Sequence, residues 1–268
     1  MIDFHNHILP KIDDGSKSIE MTLSMLESAL HQGITDIVNT VHYQHPKVEG
    51  NDISYERINF ERDKLQSLLY DRKIPIKIHI SSEVFYLPNL MKIIDDPITT
   101  TGNGKYILVE FLPTNIPESH KQQFFNLKME GITPIIAHPE RYLQVQDNIN
   151  LVGDWLEAGC LVQVDAGSPL GLLGHKAKIA SEKILFNNWA QIIGSDAHDD
   201  KNRNFCLKRS IDYICKKFGE DKYVMVKENP GKILRGEPII VDVNYPDNLD
   251  NFSFADSLKE MVGWGKKK

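Results

Sequence analysis

Cysteine is scarce in this chain. Its 268 residues contain only three, Cys160, Cys206 and Cys215, an odd number in which no pair has the Cys-x-x-Cys spacing. A disulfide framework and a thiolate zinc site are therefore not expected, and packing is the expected role of all three. Any chemistry in this chain should depend on other side chains.

An excess of positive charge and long apolar runs are also missing. The chain has 31 lysines and arginines against 37 aspartates and glutamates, with a net charge of −6 and a pI near 5.9. This balance does not favour nucleic acid as a partner. No apolar run approaches the length of a membrane span, and the start lacks the basic and apolar parts of a secretion signal. We therefore expect a cytoplasmic protein without a membrane span.

The pattern that is present is a regular alternation of strands and helices. Seven strands are predicted, over residues 2–4, 35–41, 74–81, 106–109, 133–137, 161–164 and 190–193. Helices are predicted over residues 17–32, 54–72, 89–94, 118–129, 151–157, 175–186, 207–218 and 229–234. This alternation predicts an α/β fold with a parallel sheet, most simply a closed barrel in one domain of residues 1–240. Residues 241–268 turn polar and acidic and are expected to form a loosely ordered tail.

Histidines and carboxylates recur at or just after the ends of the predicted strands. His5 and His7 stand two apart on an extended segment, so their side chains point to the same side. Only one member of the set, Asp14, comes from deeper in a loop. The nine candidate metal ligands are His5, His7, Asp14, His42, Glu83, Glu110, His138, Asp196 and His198. Parallel barrels build their sites at the carboxyl ends of their strands, so these side chains are predicted to converge.

Nine imidazole and carboxylate ligands are too many for one ion and suit two or three divalent cations, such as Mn²⁺, Fe²⁺ or Zn²⁺. Any one of the nine residues could instead cap a helix or bind a loop amide. As a cluster, however, unpaired carboxylates would repel one another without cations. Asp165 also ends a strand, and either a supporting or a structural role fits it. The histidines without such placement are expected at the surface or in the core: His31, His45, His79, His120 and His175.

Two arginines are predicted to face the same mouth. Arg141 follows His138 by three residues, and Arg203 lies shortly after His198. An exposed arginine is often only a solvated charge. Here each lies in a loop beside the predicted cations, and the planar guanidinium suits the oxygens of a phosphate group. We therefore predict that both arginines bind a phosphate.

An ordered series of motifs resembles a known family. The motifs are His5-Asn6-His7-Ile8-Leu9-Pro10 with Asp13-Asp14-Gly15, Thr40-Val41-His42, Tyr106-Ile107-Leu108-Val109-Glu110-Phe111, His138-Pro139-Glu140-Arg141 and Ser195-Asp196-Ala197-His198. Together they look like the polymerase-and-histidinol-phosphatase (PHP) superfamily. Within it they are most similar to the bacterial manganese-dependent protein-tyrosine phosphatases of capsule and exopolysaccharide gene clusters. The resemblance covers residues 1 to about 234.

The resemblance implies a distorted (β/α)₇ TIM-like barrel with a trinuclear, manganese-preferring metal centre. It also implies a partner, the phosphotyrosine tail of a bacterial tyrosine kinase that controls polysaccharide synthesis; an oligomer is compatible with the sequence. The sequence departs from the family pattern at two positions beside His42. Val41 stands where the family has a proline, and Tyr43 stands where it often has a further histidine. Tyr43 therefore changes the lining of the predicted pocket.

The predicted reaction is attack on phosphorus by a hydroxide held between two cations, while a third cation, Arg141 and Arg203 neutralise the phosphoryl oxygens. A phenolate leaves readily, and His198 or a metal-bound water would supply its proton. A thiol route is excluded, because no arginine stands six positions after any cysteine.

Three alternatives stay open at this stage. A histidinol-phosphate phosphatase would use the same metals on a small substrate, and a PHP-type nuclease would cleave a phosphodiester. The acidic net charge argues against the nuclease. The chain could also be a vestigial metal-binding scaffold, although a site freed from function need not keep nine compatible residues.

Overall fold

A computed structural model describes residues 1–241 of the chain. Seven strands form one parallel sheet in which each strand pairs with its neighbours in chain order. The strands are β1 Ile2–Asn6, β2 Asp36–Tyr43, β3 Lys77–Phe85, β4 Tyr106–Glu110, β5 Thr133–Ala137, β6 Leu161–Asp165 and β7 Ile192–Gly194. The sheet curls into a nearly closed barrel, which confirms the predicted (β/α)₇ architecture.

The helices follow the strands around the outside of the barrel. They are α1 Ile19–His31, α2 Tyr55–Asp71, α3 His120–Met129, α4 Leu143–Asp147, α5 Asn150–Glu157, α6 His175–Phe186, α7 Leu207–Phe218 and α8 Val224–Arg235. Helix α1 shows how local sequence defines such an element. The Ser18 hydroxyl accepts a hydrogen bond from the Met21 backbone N–H and caps the helix, while Leu23 and Leu26 bury its apolar face. No helix of residues 1–241 is long and apolar enough to cross a membrane.

The register of the sheet brings polar residues to one level at the mouth of the barrel. In the β2–β3 ladder His42 pairs with Glu83, so these two side chains start from neighbouring backbone positions. Lower in the barrel the same strand faces are apolar: Val38, Leu108 and Ile135 belong to one buried cluster. Side chains two or four apart on a strand share a face, so the packed interior directly supports the polar mouth.

The barrel closes between β1 and the segment that follows β7. The backbone N–H of Asp196 donates to the carbonyl of His5 at 2.7 Å, and the N–H of His7 donates to the carbonyl of Ala197 at 2.9 Å. Gly194 permits this approach, because a Cβ atom there would lie 2.4 Å from the Cβ of His5. Two candidate ligand pairs, His5 with His7 and Asp196 with His198, are thereby brought together across the closure.

Several predicted boundaries were wrong by a few residues. Strand β1 continues to Asn6 and β3 to Phe85, so His5 and Glu83 lie within strands rather than beyond them. The helix predicted over 89–94 is a short 3-10 turn, Leu90–Lys92, and α4 was not predicted. Helix α8 begins well before the predicted start at 229, with Pro230 inside it. Because proline is typical of the first turn of a helix, Pro230 made residue 229 look like the start of α8.

The tail predicted over residues 241–268 lies outside the described residues, except for Val241.

The closure between β1 and β7 should be sensitive to any side chain at position 194. We expect Gly194→Ala to lower the free energy of unfolding by about 3 kcal/mol, because the added methyl group overlaps the backbone and Cβ of His5. Urea denaturation of the two proteins measures this difference.

Gly231→Ala is the matched control. Its Cβ would lie 3.1 Å from the movable Arg235 guanidinium and at an ordinary contact distance of 3.7 Å from Ile2 Cδ1. Alanine also suits a helix better than glycine, so the stability should change by less than about 1 kcal/mol. Equal effects of the two substitutions would contradict a close approach of β1 and β7.

Candidate metal centre

All nine predicted ligands lie together at the carboxyl ends of the strands. Eight of them are buried, and only Asp14, on the loop after β1, is partly exposed. Six of the seven strands contribute at least one residue, either from the last positions of the strand or from the segment that follows it. The sequence prediction of one convergent cluster therefore agrees with the geometry.

Glu83 stands at the centre of the cluster. Its Oε2 lies 3.2 Å from His5 Nε2, 3.4 Å from His7 Nε2 and 3.2 Å from His42 Nδ1. Its Oε1 lies 2.7 Å from His138 Nε2. The two oxygens of one carboxylate thus face four imidazoles. Such an arrangement suits a carboxylate that bridges cations.

Asp196 occupies the opposite side of the pair His5 and His7. Its Oδ1 lies 3.5 Å from His5 Nε2 and 3.3 Å from His7 Nε2, while its Oδ2 faces the two arginines. Burial alone would raise the pKa of this carboxyl, but His5 and His198 hold the pKa of Asp196 well below its usual range. Asp196 is therefore a charged carboxylate that joins the histidine cluster to the guanidinium groups.

Asp14 and Glu110 extend the cluster towards solvent. Asp14 Oδ1 lies 3.1 Å from His42 Nε2 and 3.3 Å from His198 Nε2. Glu110 Oε1 lies 3.5 Å from His42 Nδ1. Burial, followed by the charge of Glu83, raises the pKa of Glu110 well above its usual range. The carboxylates of Glu83 and Glu110 lie close enough together to favour a cation between them.

The ligand atoms form three overlapping groups in which all atoms lie within 4.8 Å of one another. The groups are His7, Asp14, His42 and His198; His5, His7, Glu83 and Asp196; and His42, Glu83 and Glu110. Two ligands of one ion, each about 2.1 Å from it, stand about 3.4 Å apart in tetrahedral geometry. The observed separations near 3.3 Å match that value. Glu83 belongs to two groups and, as a carboxylate, could bridge two ions, whereas His7 has only Nε2 free and could serve one group only.

The hydrogen-bonding of these atoms tests whether cations fit. Several ligand atoms are buried and make no hydrogen bond in the described part of the chain: Asp14 Oδ1, His42 Nδ1, Glu110 Oε1, Asp196 Oδ1 and His198 Nε2. They approach one another closely but without hydrogen-bond geometry. A buried polar atom without a partner is costly. Divalent ions would satisfy all five at once, so the donor set fits a multinuclear centre.

Hydrogen bonds from behind orient three of the imidazoles. His5 Nδ1 donates to Gln163 Oε1 at 3.0 Å, and His7 Nδ1 donates to Asp13 Oδ2 at 2.8 Å. His198 Nδ1 donates to the carbonyl of Asp196 at 2.9 Å. Each contact leaves Nε2 free to face the cluster, as metal-binding histidines require. Sequence reasoning did not assign roles to Asp13 and Gln163, although Asp13 stands in the loop that supplies Asp14.

His138 and Asp196 have strained backbones. Their φ angles are 34° and 46°, in the left-handed region that favours glycine. Such strain persists where surrounding contacts hold it, and it is common at functional sites. His138 belongs to none of the three compact groups, and its Nε2 is 3.9 Å from Glu110 Oε2. Burial and the nearby Arg141 lower the pKa of His138 to about 4, which keeps the imidazole neutral and able to ligate.

Both predicted arginines reach the rim of the cluster. Arg141 Nη1 and Arg203 Nη2 each lie 2.5 Å from the same oxygen, Asp196 Oδ2, and their side chains are 28% and 35% exposed. Asp165 Oδ2 lies 3.7 Å from Arg141 Nη1, so Asp165 supports this arginine from behind. The unused donors of both guanidinium groups border on solvent, where an anion could reach them.

His45 lies beside the cluster, although it was expected at the surface or in the core away from it. His45 Nε2 lies 3.3 Å from Glu110 Oε1, and its ring stacks on that of His42 at 4.6 Å. The 3-10 turn Pro46–Val48 folds this part of the loop back onto the mouth, which no strand-end rule predicts. The same turn brings Lys47 Nζ to 2.6 Å from Asp14 Oδ2. His31, His79, His120 and His175 are absent from the cluster, as expected.

A family model described as capsular polysaccharide synthesis, CpsB/CapC, matches residues 1–235. The chain belongs to the CpsB/CapC family. It is 35% identical over 210 residues to a CapC protein of Staphylococcus aureus, covering 78% of this chain and 81% of the relative. It is 30% identical over 240 residues to the tyrosine-protein phosphatase YwqE of Bacillus subtilis, covering 89% and 93% respectively.

A solved structure also resembles this CpsB/CapC chain. It comes from the crystal structures of YwqE from Bacillus subtilis and CpsB from Streptococcus pneumoniae, described as unique metal-dependent tyrosine phosphatases. The TM-score is 0.87 at 29% sequence identity, and the match covers 92% of this chain and 100% of the other. The barrel and its order of elements are therefore those of the CpsB/CapC fold.

Asp13 offers a test of how this CpsB/CapC site is supported. We expect Asp13→Ala to weaken metal affinity about 10- to 100-fold, because His7 loses the carboxylate that holds its Nδ1–H and orients its ring. Titration of the metal-free protein with Mn²⁺, followed by calorimetry, measures the change.

Asp71→Ala is the matched control, since Asp71 is exposed at the end of α2. Its metal affinity should equal that of the unchanged protein. Unaltered affinity in Asp13→Ala would show that His7 needs no support from Asp13.

Proposed function

We propose that this protein is a metal-dependent protein-tyrosine phosphatase, a phosphoric monoester hydrolase. The observation that carries the proposal is the convergence of nine imidazole and carboxylate ligands with two arginines on their rim. The arrangement combines sites for several cations with donors for a phosphoryl group. Membership of the CpsB/CapC family and the tyrosine phosphatases among its relatives support the same activity.

The proposed cofactors are two or three divalent ions, with Mn²⁺ first and Fe²⁺ or Zn²⁺ as compatible substitutes. One would lie among Asp14, His42 and His198, and a second among His5, Glu83 and Asp196, with His7 Nε2 serving one of the two. A third would lie among His42, Glu83 and Glu110, with His138 beside it. When bound, such ions supply Lewis acidity and lower the pKa of coordinated water.

Arg141 and Arg203 are proposed to hold the phosphoryl group. Each guanidinium uses one nitrogen on Asp196 Oδ2 and retains further donors on its exposed side. Asp196 and Asp165 fix Arg141 before substrate arrives, which preorganises its positive charge. A planar fork pointing at the mouth can then take two oxygens of a phosphate.

His198 is proposed to act on the leaving group or as a ligand. Its Nδ1 is held by the Asp196 carbonyl, so only Nε2 can serve. One nitrogen cannot bind a cation and deliver a proton at the same time. A phenolate, with an ordinary pKa near 10, needs less protonation than an alkoxide, which is consistent with His198 remaining a ligand.

The proposed substrate is the phosphotyrosine tail of a bacterial tyrosine kinase that controls capsular or exopolysaccharide synthesis. The family's description, capsular polysaccharide synthesis, supports this context. Such a tail would be met in the cytoplasm. The acidic net charge of the chain supports a protein substrate over a nucleic acid.

Steady-state kinetics on three substrates test the function. With added Mn²⁺ we expect phosphate release from a phosphotyrosine peptide, little from histidinol phosphate and no cleavage of single-stranded DNA. Chelation should abolish turnover, and metal analysis after reconstitution should find two to three ions per chain. Preference for histidinol phosphate or DNA would select an alternative activity. Recovery of one ion or none would contradict a multinuclear centre.

Arg141→Ala tests the phosphate clamp. We expect kcat/KM on the phosphotyrosine peptide to fall about 100-fold or more, because a charge-assisted contact in such a site is worth roughly 3 kcal/mol. Metal content should remain unchanged, since Arg141 contacts Oδ2 of Asp196 while Oδ1 faces the histidines. Arg141→Lys should recover only part of the loss, because it keeps the charge without the fork.

Two variants serve as controls for the clamp. Arg235→Ala removes an exposed arginine paired with Glu237 and should keep full activity. Glu110→Gln should lose metal and activity together. Near-normal kcat/KM in Arg141→Ala, or a loss that follows its metal content, would overturn the clamp.

A further inference from the structure

A groove of about 700 Å³ opens directly beside the candidate metal centre. We call it the side groove; the lining residues used below are Tyr43, Gln44, His45, Glu49, Phe85 and Asp96. His45 connects the groove to the centre, because its Nε2 lies 3.3 Å from Glu110 while its ring packs edge-on against Phe85 at 4.9 Å. A substrate whose phosphate lies at the centre can therefore extend into the side groove.

The size of the side groove exceeds what a phosphoryl group needs. Its volume is within the range of pockets that hold drug-sized molecules, and part of its wall is apolar. The residues that follow or precede a phosphotyrosine in a peptide are objects of this size. The groove is thus suited to the flanking segment of the substrate rather than to the phosphate itself.

The charge of the side groove has one sign. Its described lining contains the carboxylates of Glu49 and Asp96 and no lysine or arginine. Lys47, in the turn between the lining residues His45 and Glu49, is paired with Asp14 Oδ2 at 2.6 Å. An acidic groove repels nucleic acid and attracts a cationic side chain. The occupant favoured by this charge is therefore a peptide that carries a basic residue.

The carboxylates of Asp96 and Glu49 differ in how many contacts they already make within the protein. Asp96 caps the 3-10 turn Pro97–Thr100 through Oδ1, and the Tyr43 hydroxyl donates to its Oδ2 at 3.4 Å. Glu49 is exposed and forms no ion pair within residues 1–241. Glu49 is consequently the charge that remains available to a ligand.

Gln44 supplies a second, independent indication of a ligand. Its backbone has a φ of 59°, a strained conformation for a residue other than glycine. Its Oε1 accepts from Asn89 Nδ2 at 2.8 Å, whereas its buried Nε2 makes no hydrogen bond among the described residues. This nitrogen has almost no accessible surface, so a peptide carbonyl would satisfy it once the Gln44 side chain turns towards the groove.

We propose that the side groove selects phosphotyrosine peptides with a lysine or arginine within about three residues of the phosphotyrosine, as the reach of an extended chain allows. The basic side chain faces Glu49, and the Gln44 amide turns to bind the peptide backbone. This inference rests on the proposed phosphatase function and adds the class of sequence that the enzyme prefers.

Matched peptides test the proposal in the metal-loaded full chain. Each peptide carries one phosphotyrosine among alanines, with either lysine or glutamate at one of the three positions on each side. At low salt we expect kcat/KM for the best lysine peptide to exceed that of its glutamate partner by about ten-fold. The preference should shrink at high salt, because exposed charges are screened.

A charge reversal identifies the responsible residue. Glu49→Lys should lower the lysine-to-glutamate ratio about ten-fold or more, towards or below one. Glu130→Lys makes the same charge change on an exposed residue at the C-terminus of α3, which precedes β5 and so lies at the opposite end of the barrel. Its ratio should equal that of the unchanged protein.

The possible outcomes separate this inference from the proposed function. Phosphate release from every peptide with equal kcat/KM overturns the side-groove proposal and leaves the phosphatase function standing. The same holds if Glu49→Lys and Glu130→Lys shift the ratio equally, because the effect would then belong to net charge alone. Absence of phosphate release from any phosphotyrosine peptide overturns both.

Discussion

The carboxylate of Glu83 is the interaction on which the mouth of this barrel depends. Four imidazoles from three other strands lie within 3.4 Å of its two oxygens. Glu83 is buried within β3, so its charge must be balanced by its neighbours rather than by water. The site therefore depends on the parallel register of β2 and β3, because this register sets His42 beside Glu83.

Asp196 has a complementary role, because it divides its two oxygens between unlike partners. Oδ1 faces His5 and His7, and Oδ2 faces Arg141 and Arg203. One side of this carboxylate therefore faces candidate metal ligands, and the other faces the two arginines that are proposed to bind phosphate. Behind the rim, Asp165 supports Arg141, and the buried Glu140 accepts from the Asp165 backbone N–H at 2.9 Å. Burial and the nearby Asp165 raise the pKa of Glu140 to about 8.

The sequence predicted those features that depend on periodicity along the chain. The strand–helix alternation predicted the barrel, and the strand ends predicted the convergence of residues as distant as His5 and His198. It could not predict features set by how loops fold back. His45 reaches the mouth only because the loop turns at Pro46, and Gln163 supports His5 only because the closed barrel leaves just β7 between β6 and β1. A proline inside α8 likewise hid the true start of that helix.

The closure between β1 and β7 ties residues near the two ends of the barrel sequence to the same cluster. The hydrogen bonds that join the first strand to the segment after the last one come from His5, His7, Asp196 and Ala197, three of which are candidate ligands. Ions held by these candidate ligands would therefore also stabilise the closure of the barrel. Ions at 100 times their dissociation constant would add about 2.7 kcal/mol to the stability of the closed form. Bound ions would then hold β1 and the segment after β7 together, in addition to taking part in the reaction.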